Sequence, residues 1–354
     1  MQIPQLTVTR FLASISIVIL HFGLFSWPMN TKHISQFGGD LINGITYFFV
    51  LSGFILVVSQ AKNNELPDQI EKKLFWKRRF ARIYPVYFLS IILFFAVRFE
   101  YDPSISLVWQ VNQYFFSLFL LQSWKYKIAL DINFPAWSLS VEVFFYFIFP
   151  WIYYYIVRLK NKFILILALV SWCLNILTIQ WLMTENAPSY FMNYFPLLHV
   201  STFLIGICAG ILFARNQSWL ILQRRKIYVL VILSGIYFLW GMYCDTIAHE
   251  RFRQNGYMAL YFGLFIIAVS VIQGKVKTIL SWKPLQFLGE ISYSVYIFQF
   301  IVLLVCQRYI PAMSDKKETK LFWLYVLILL VFSAIVYLSF EKPMRRLLTK
   351  RSKG

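Results

Sequence analysis

Ten apolar runs divide this chain, near residues 6–26, 41–60, 84–99, 138–157, 163–182, 198–214, 227–244, 257–273, 287–306 and 321–340. Most approach the ~20 helical residues that cross the ~30 Å hydrocarbon core of a bilayer. The chain is 59% hydrophobic and only 14% charged over 354 residues, more apolar surface than a soluble domain could cover. In lipid the backbone must satisfy its own hydrogen bonds, so the runs read as helices. The expected fold is all-α: a polytopic membrane helix bundle of about ten transmembrane helices, one membrane-embedded domain over 1–354. No repeat of fixed period and no appended soluble domain interrupts it. The first run lacks a small-residue cleavage site after it and is expected to be retained.

Charge orients the bundle. The net charge of +19 comes from short basic loops between apolar runs, which points to topology and anionic headgroups rather than nucleic acid. With a cytoplasmic N-terminus and ten spans, most of the 34 lysines and arginines fall inside. An eleventh segment, WQVNQYFFSLFLLQSW at 109–124, would invert all later loops if it spanned. It is expected to be an interfacial or re-entrant helix on the outer face, leaving both termini cytoplasmic. Cys173, Cys208, Cys244 and Cys306 fall in or beside spans with no CxxC pair, so neither metal nor redox chemistry is indicated.

Arg10 and His21 share the first run. Eleven residues of α-helix bring two side chains to within ~20° of one face and ~16 Å apart along the axis. An ionisable group at that depth is costly and suggests a functional site; Arg10 as a snorkelling anchor and His21 as a structural histidine is the alternative. In GITYFFVLSGFIL (Gly44 to Leu56), Gly53 marks close approach of a helix or a ligand. The inner loop KKLFWKRRFARIYP sets Arg78 and Arg82 one turn apart beside Arg79, with Pro85 opening the next span. Such a cluster could rest on anionic lipid or clamp a polyphosphate bidentately.

In NFPAWSLSVEVFFYFIFP (Asn133 to Pro150), Glu142 lies about one turn beyond Trp137 and Ser138. A carboxylate there pairs with an arginine or binds acceptor hydroxyls. Further on, LGEISYSVYIFQF (Leu288 to Phe300) carries Tyr293, Tyr296 and Gln299, and FEKPMRR closes the last span with Glu341, Arg345 and Arg346. Gln299 reads as interhelical glue and Glu341 as a partner of local cations. His33, His199 and His249 are expected to be non-catalytic.

In this order, Arg10-x10-His21, FFVLSGF (Phe48 to Phe54), RRFARIYP (Arg78 to Pro85), PAWSLSVEVFFY (Pro135 to Tyr146), SYSVYIFQ (Ser292 to Gln299) and FEKPMRR (Phe340 to Arg346) resemble the acyltransferase-3 family of bacterial integral-membrane O-acyltransferases. The resemblance spans the whole chain. It implies a multi-pass protein of the bacterial cytoplasmic (inner) membrane. Its activity would be transfer of an acyl group, usually acetyl, from cytoplasmic acyl-CoA to a hydroxyl of an exported glycan or lipid-linked saccharide. Acetyl-CoA would be a donor substrate, with no tightly bound cofactor. The implied essential histidine is His21, with Arg10 its motif partner and Arg79 and Arg82 in the inner basic motif. Many members carry an acidic residue where Thr46 stands and a histidine where Gln299 stands; both positions are therefore left out of the expected catalytic set. Many also carry a hydrolase-like C-terminal domain, so this membrane unit is expected to acylate the acceptor itself or pass the group to a separate protein.

The expected site thus comprises His21, Arg10 and Glu142 as catalytic residues, Arg78, Arg79 and Arg82 for the donor's phosphates, and Trp137 and Ser138 for the acceptor. The two substrates would enter from opposite sides, the arginines ringing an inner mouth and Trp137, Ser138 and Glu142 an outer one. His21 would act as a general base or as a nucleophile passing through an acyl-imidazole. A transporter or flippase for a lipid-linked saccharide is the competing class, although no inverted repeat or pair of broken helices supports it. The other large family of membrane-bound O-acyltransferases places its active histidine late in the chain, unlike His21.

Overall fold

The computed structural model describes residues 3–35, 37–61, 65–98, 107–125, 127–243, 254–314 and 319–349. Among them the regular elements are helices. The first five are α1 (Pro4–Val18), α2 (Asn43–Val58), α3 (Lys72–Arg98), α4 (Leu107–Leu118) and α5 (Trp137–Ile156). The next five are α6 (Asn161–Thr184), α7 (Val200–Leu222), α8 (Arg224–Tyr243), α9 (Ala259–Ser270) and α10 (Gly274–Leu280). The last three are α11 (Lys283–Tyr309), α12 (Thr319–Val336) and α13 (Lys342–Thr349). Two short α-helical turns, Lys32–Ser35 and Ser189–Tyr194, and several 3-10 and π-helical turns join or extend them.

Among the described residues, eight helical stretches are long and apolar enough to cross a membrane, or nine if the bent pair α9–α10 counts as one. The protein is therefore a multi-pass helical membrane protein. Two of the ten expected spans differ in form. The run at 257–273 yields a helix ending at Ser270; Gly274 then takes φ +69°, and α10 leaves at 103° to α9. The run at 227–244 is helical in α8, which falls outside the group of eight. The third run begins earlier than its apolar residues do. α3 starts at Lys72 and continues through Pro85, so KKLFWKRRFARIYP is helix rather than loop. Arg79 and Arg82 consequently stand about 10 and 15 Å along the helix from Lys72.

Among the described residues between 107 and 133 no helix reaches the length of a span. α4 has only twelve residues, about 18 Å. The chain then turns through Leu120, Lys127 and Asn133, all with positive φ, into a 3-10 turn at Phe134–Ala136 and on into α5. Buried side chains bind the bared backbone of this return. Gln122 Nε2 donates to Ala136 O (2.9 Å), Ser123 Oγ to Trp137 O (2.8 Å) and Ser140 Oγ to Leu120 O (2.6 Å). Irregular backbone amid membrane helices persists only where protein satisfies it.

The chain forms two compact units: 1–13, 42–70 and 147–289 in the first, and 14–41, 71–146 and 290–354 in the second. In the first unit α2 packs on α7 at backbone distance. A Cβ on Gly53 would collide with the main chain of Phe203, and one on Gly206 with the carbonyl of Val50. Gly53 is thus a helix-packing point. The second unit gathers α3, α4, the start of α5, most of α11, α12 and α13. α13 lies against α3 there.

Candidate active site

The helix carrying His21 changes register before reaching it. α-Helical hydrogen bonding runs to Val18, and Ile19–Gly23 form a π-helical turn with His21 at its centre. The uniform 100° step that placed Arg10 and His21 on one face therefore does not hold over the whole interval. A wider turn rotates the residues after it, and such turns are frequent at functional sites. Gly23 ends this turn against the ring of Phe322, where a Cβ would crowd the ring.

His21 is half-buried, its ring edge-on to Phe134 at 4.9 Å between centroids and to Phe22 at 5.6 Å. Its Nδ1 lies 3.1 Å from Gln299 Oε1. Gln299, on α11, is fully buried; its Nε2 donates to Tyr296 O at 2.8 Å, and its carbonyl accepts from Tyr325 OH at 2.8 Å. The residue set aside in the sequence is therefore the direct partner of the histidine. An amide deep in an apolar helix was itself the available signal.

One turn earlier on α11, Tyr296 OH, Ser138 Oγ and Pro135 O form a triangle with sides of 2.8, 3.1 and 3.1 Å. Ser138 is 7% exposed and the adjoining Trp137 2% exposed. In this structure both are part of the packing around the return into α5. Asn133, at φ +48° and fully buried, fixes the same return by donating to Ser90 Oγ and to Ile297 O, each at 3.1 Å.

A second polar cluster lies within the same unit. Tyr146 OH donates to Glu142 Oε1, one turn away on α5. The Arg79 guanidinium stands 5.9 Å from the Tyr146 ring and 5.6 Å from the Phe75 ring, and Glu142 and Arg82 both act on its charge. Glu142 thus lies in one cluster with Tyr146, Arg79 and Arg82. Trp76 Nε1 donates to Tyr146 O at 3.0 Å, holding α3 to α5. Arg82 is half-buried and Arg78 exposed.

Tyr293 OH donates to Ile83 O (2.9 Å) between Arg79 and Pro85 in sequence, and both Glu142 and Glu341 act on Tyr293 electrostatically. Glu341 accepts from Ser294 Oγ at 2.9 Å and, like His21, sits in a π-helical turn, Tyr337–Glu341. Neither π turn has a sequence signature.

Arg10 belongs to the first unit, where it acts on Tyr47, whose hydroxyl is bonded to Thr9 Oγ1. His199, also in the first unit, is fully buried; its Nε2 lies 3.0 Å from Asn193 O and its ring beside Phe49. His249 and Cys244 lie outside the described residues.

The half-buried histidine on the first helix, the buried amide bound to it and the arginines of α3 thus belong to a helical membrane protein. Comparison with known proteins makes the class specific. Residues 3–341 match the acyltransferase-3 model, described as an acyltransferase domain, and the chain belongs to that family. It is similar to the O-acetyltransferase OatA of Staphylococcus aureus, at 26% identity over 97% of this chain and 57% of that protein. The acyltransferase MdmB of Streptomyces mycarofaciens is 25% identical over 99% of this chain and 93% of its own length. The peptidoglycan O-acetyltransferase OatA of Listeria monocytogenes is 24% identical over 85% and 49%. The chain therefore spans about half the length of the OatA relatives. No solved structure matches it.

Proposed function

We propose that this protein is a membrane O-acyltransferase. Its donor would be cytoplasmic acyl-CoA, with acetyl the group carried, and its acceptor a hydroxyl of a cell-envelope glycan at the inner membrane of a bacterium. Its relatives' names supply the acetyl group and, for the Listeria protein, the peptidoglycan acceptor. The observation that carries the reading is His21: a half-buried imidazole with one nitrogen held by Gln299 and no other hydrogen bond among the described residues.

In this reading the free nitrogen of His21 takes the acceptor hydroxyl's proton as its oxygen attacks the thioester carbonyl. The C–S bond breaks, and the proton passes to the leaving thiolate to give free CoA. Such general-base assistance contributes ~10²–10⁴-fold. Arg78, Arg79 and Arg82 neutralise the donor's phosphates, which cannot enter lipid. Glu142, hydrogen-bonded through Tyr146, balances Arg79 beside them. Arg10 is the motif partner of His21 on the family resemblance alone. The acceptor approaches over Trp137 and Ser138, where it exchanges with the Tyr296 hydroxyl.

The test is purified protein in liposomes with radiolabelled acetyl-CoA and peptidoglycan fragments. The reading expects free CoA and labelled, alkali-labile glycan ester, both dependent on the acceptor. A transporter releases no CoA, and labelled enzyme accumulating without acceptor would replace the base with a histidine nucleophile.

A further inference from the structure

We infer that Gln299 is a positioning residue that fixes the proton of His21 on Nδ1 and so makes Nε2 the basic nitrogen; this rests on His21 being the base. A neutral imidazole has one donor and one acceptor nitrogen, and its partners decide which is which. An amide can present either its oxygen or its NH2, so the 3.1 Å contact at Nδ1 leaves the choice open by itself. The other end of the amide closes it.

Gln299 Nε2 lies 2.8 Å from the carbonyl oxygen of Tyr296, a group that can only accept. Flipping the amide would set two acceptor oxygens against each other. Gln299 is 0% exposed, so water cannot compensate for the lost bond. Its Oε1 therefore faces His21, and because that oxygen only accepts, Nδ1 carries the hydrogen. The main chain of Gln299 is held as well, since Tyr325 donates to its carbonyl from α12 at 2.8 Å. Phe134 and Phe22, both edge-on, confine the imidazole ring. The lone pair of Nε2 is then left on the side away from Gln299, free to take a proton.

The positioning is also electrically silent. An amide adds no net charge beside the imidazole, so it orders the ring without favouring the imidazolium over the neutral base. The tyrosine hydroxyls on the neighbouring helices are engaged elsewhere, Tyr296 with Ser138 and Pro135 and Tyr325 with Gln299 itself.

The experiment uses the full chain labelled with [15N]histidine in liposomes, at a pH where the ring is neutral, with the His21 signals assigned by their loss in His21→Ala. The wild type should show a protonated Nδ1 and an unprotonated Nε2. Gln299→Met, similar in volume and unable to accept strongly, should give mixed tautomers. It should also lower kcat ten- to hundredfold while the KM for acetyl-CoA stays within twofold. Gln299→Glu keeps an acceptor oxygen toward Nδ1 and should retain the Nδ1–H tautomer; its second oxygen opposes Tyr296 O and its charge favours the imidazolium, so the tautomer and not kcat is read from it. A wild-type proton on Nε2 overturns the inference, as does Gln299→Met with unchanged tautomer and kcat. Mixed tautomers in a folded Gln299→Glu protein overturn it too. A merely structural role would lower the melting temperature and leave kcat per folded molecule intact. If His21→Ala keeps its turnover, it is the base reading that fails, and the spectrum still reports the tautomer.

Discussion

Helices α2 and α7 of the first unit meet main chain to main chain through Gly53 and Gly206, whereas α5 and α11 of the second meet through the Ser138 and Tyr296 hydroxyls. The contrast extends through both interiors. In the first unit, polar side chains answer backbone carbonyls: Asn175 donates to Asn255 O (2.5 Å), Trp172 to Tyr257 O (3.0 Å) and Gln5 to Ile272 O (3.1 Å). Buried side chains of the second unit answer carbonyls as well, as Gln122 and Tyr293 do, and to these the unit adds pairs that include titratable groups: His21 with Gln299, Tyr146 with Glu142 and Ser294 with Glu341. Glycine-mediated approach gains dispersion contacts and buries no charge. A network of ionisable groups pays desolvation for each member and is a poor way to gain stability. The first unit thus shows the backbone-close packing, and the second holds His21, Gln299, Glu142 and the arginines on which most of the proposed chemistry rests.

The largest expected effect falls in the second unit. His21→Ala should accumulate in the membrane at wild-type level and lose at least ~10² of turnover; CoA release per folded molecule checks this. A variant that fails to accumulate would move His21 to the packing side of the contrast. Arg82→Ala should raise the KM for acyl-CoA tens-fold, as expected for a charge-assisted phosphate contact of about 1.5–3 kcal/mol. The acceptor's KM should hardly move. Lysine restores charge without the bidentate geometry and should rescue in part. Equal rises for both substrates would indicate a folding defect instead.

In the first unit the sign reverses. Gly206→Ala drives a Cβ into the Val50 carbonyl, and overpacking of this kind costs about 1–3 kcal/mol. It should lower the melting temperature and the yield while leaving turnover per folded molecule within twofold. The smallest effect is expected for Ser138→Ala, which removes one neutral hydrogen-bonding partner worth about 1 kcal/mol. The acceptor's KM should rise about fivefold in steady-state assays, with the donor's KM unchanged. An unchanged acceptor KM would make Ser138 a packing residue of the second unit.

Much of this contrast was legible in the chain. Long apolar runs identify the helices, and the short, polar-ended 109–124 segment betrays itself as non-spanning. Gly53 in FFVLSGF already allowed close helix approach. Other features left no local trace. Pro85 reads as a helix start, yet α3 runs through it, because helices in a packed membrane protein can re-satisfy what proline removes. The π turns at His21 and Glu341 depend on tertiary packing, so a regular 100° step misplaces the residues beyond them. Gln299 stands outside the expected catalytic set because many family members have a histidine there. Only the fold shows that both ends of that amide are committed, one to His21 and one to Tyr296. Glu142 was expected toward the acceptor; its i+4 neighbour Tyr146 was the clue that it turns toward Arg79.

One paired measurement tests the contrast between the units most directly: thermal melting and CoA release per folded molecule on the same liposome preparations of His21→Ala and Gly206→Ala. The account predicts a crossed result, with His21→Ala melting like the wild type and turning over at least ~10² more slowly, and Gly206→Ala melting earlier with near-normal turnover. A His21→Ala protein that melts early yet keeps its turnover would contradict it.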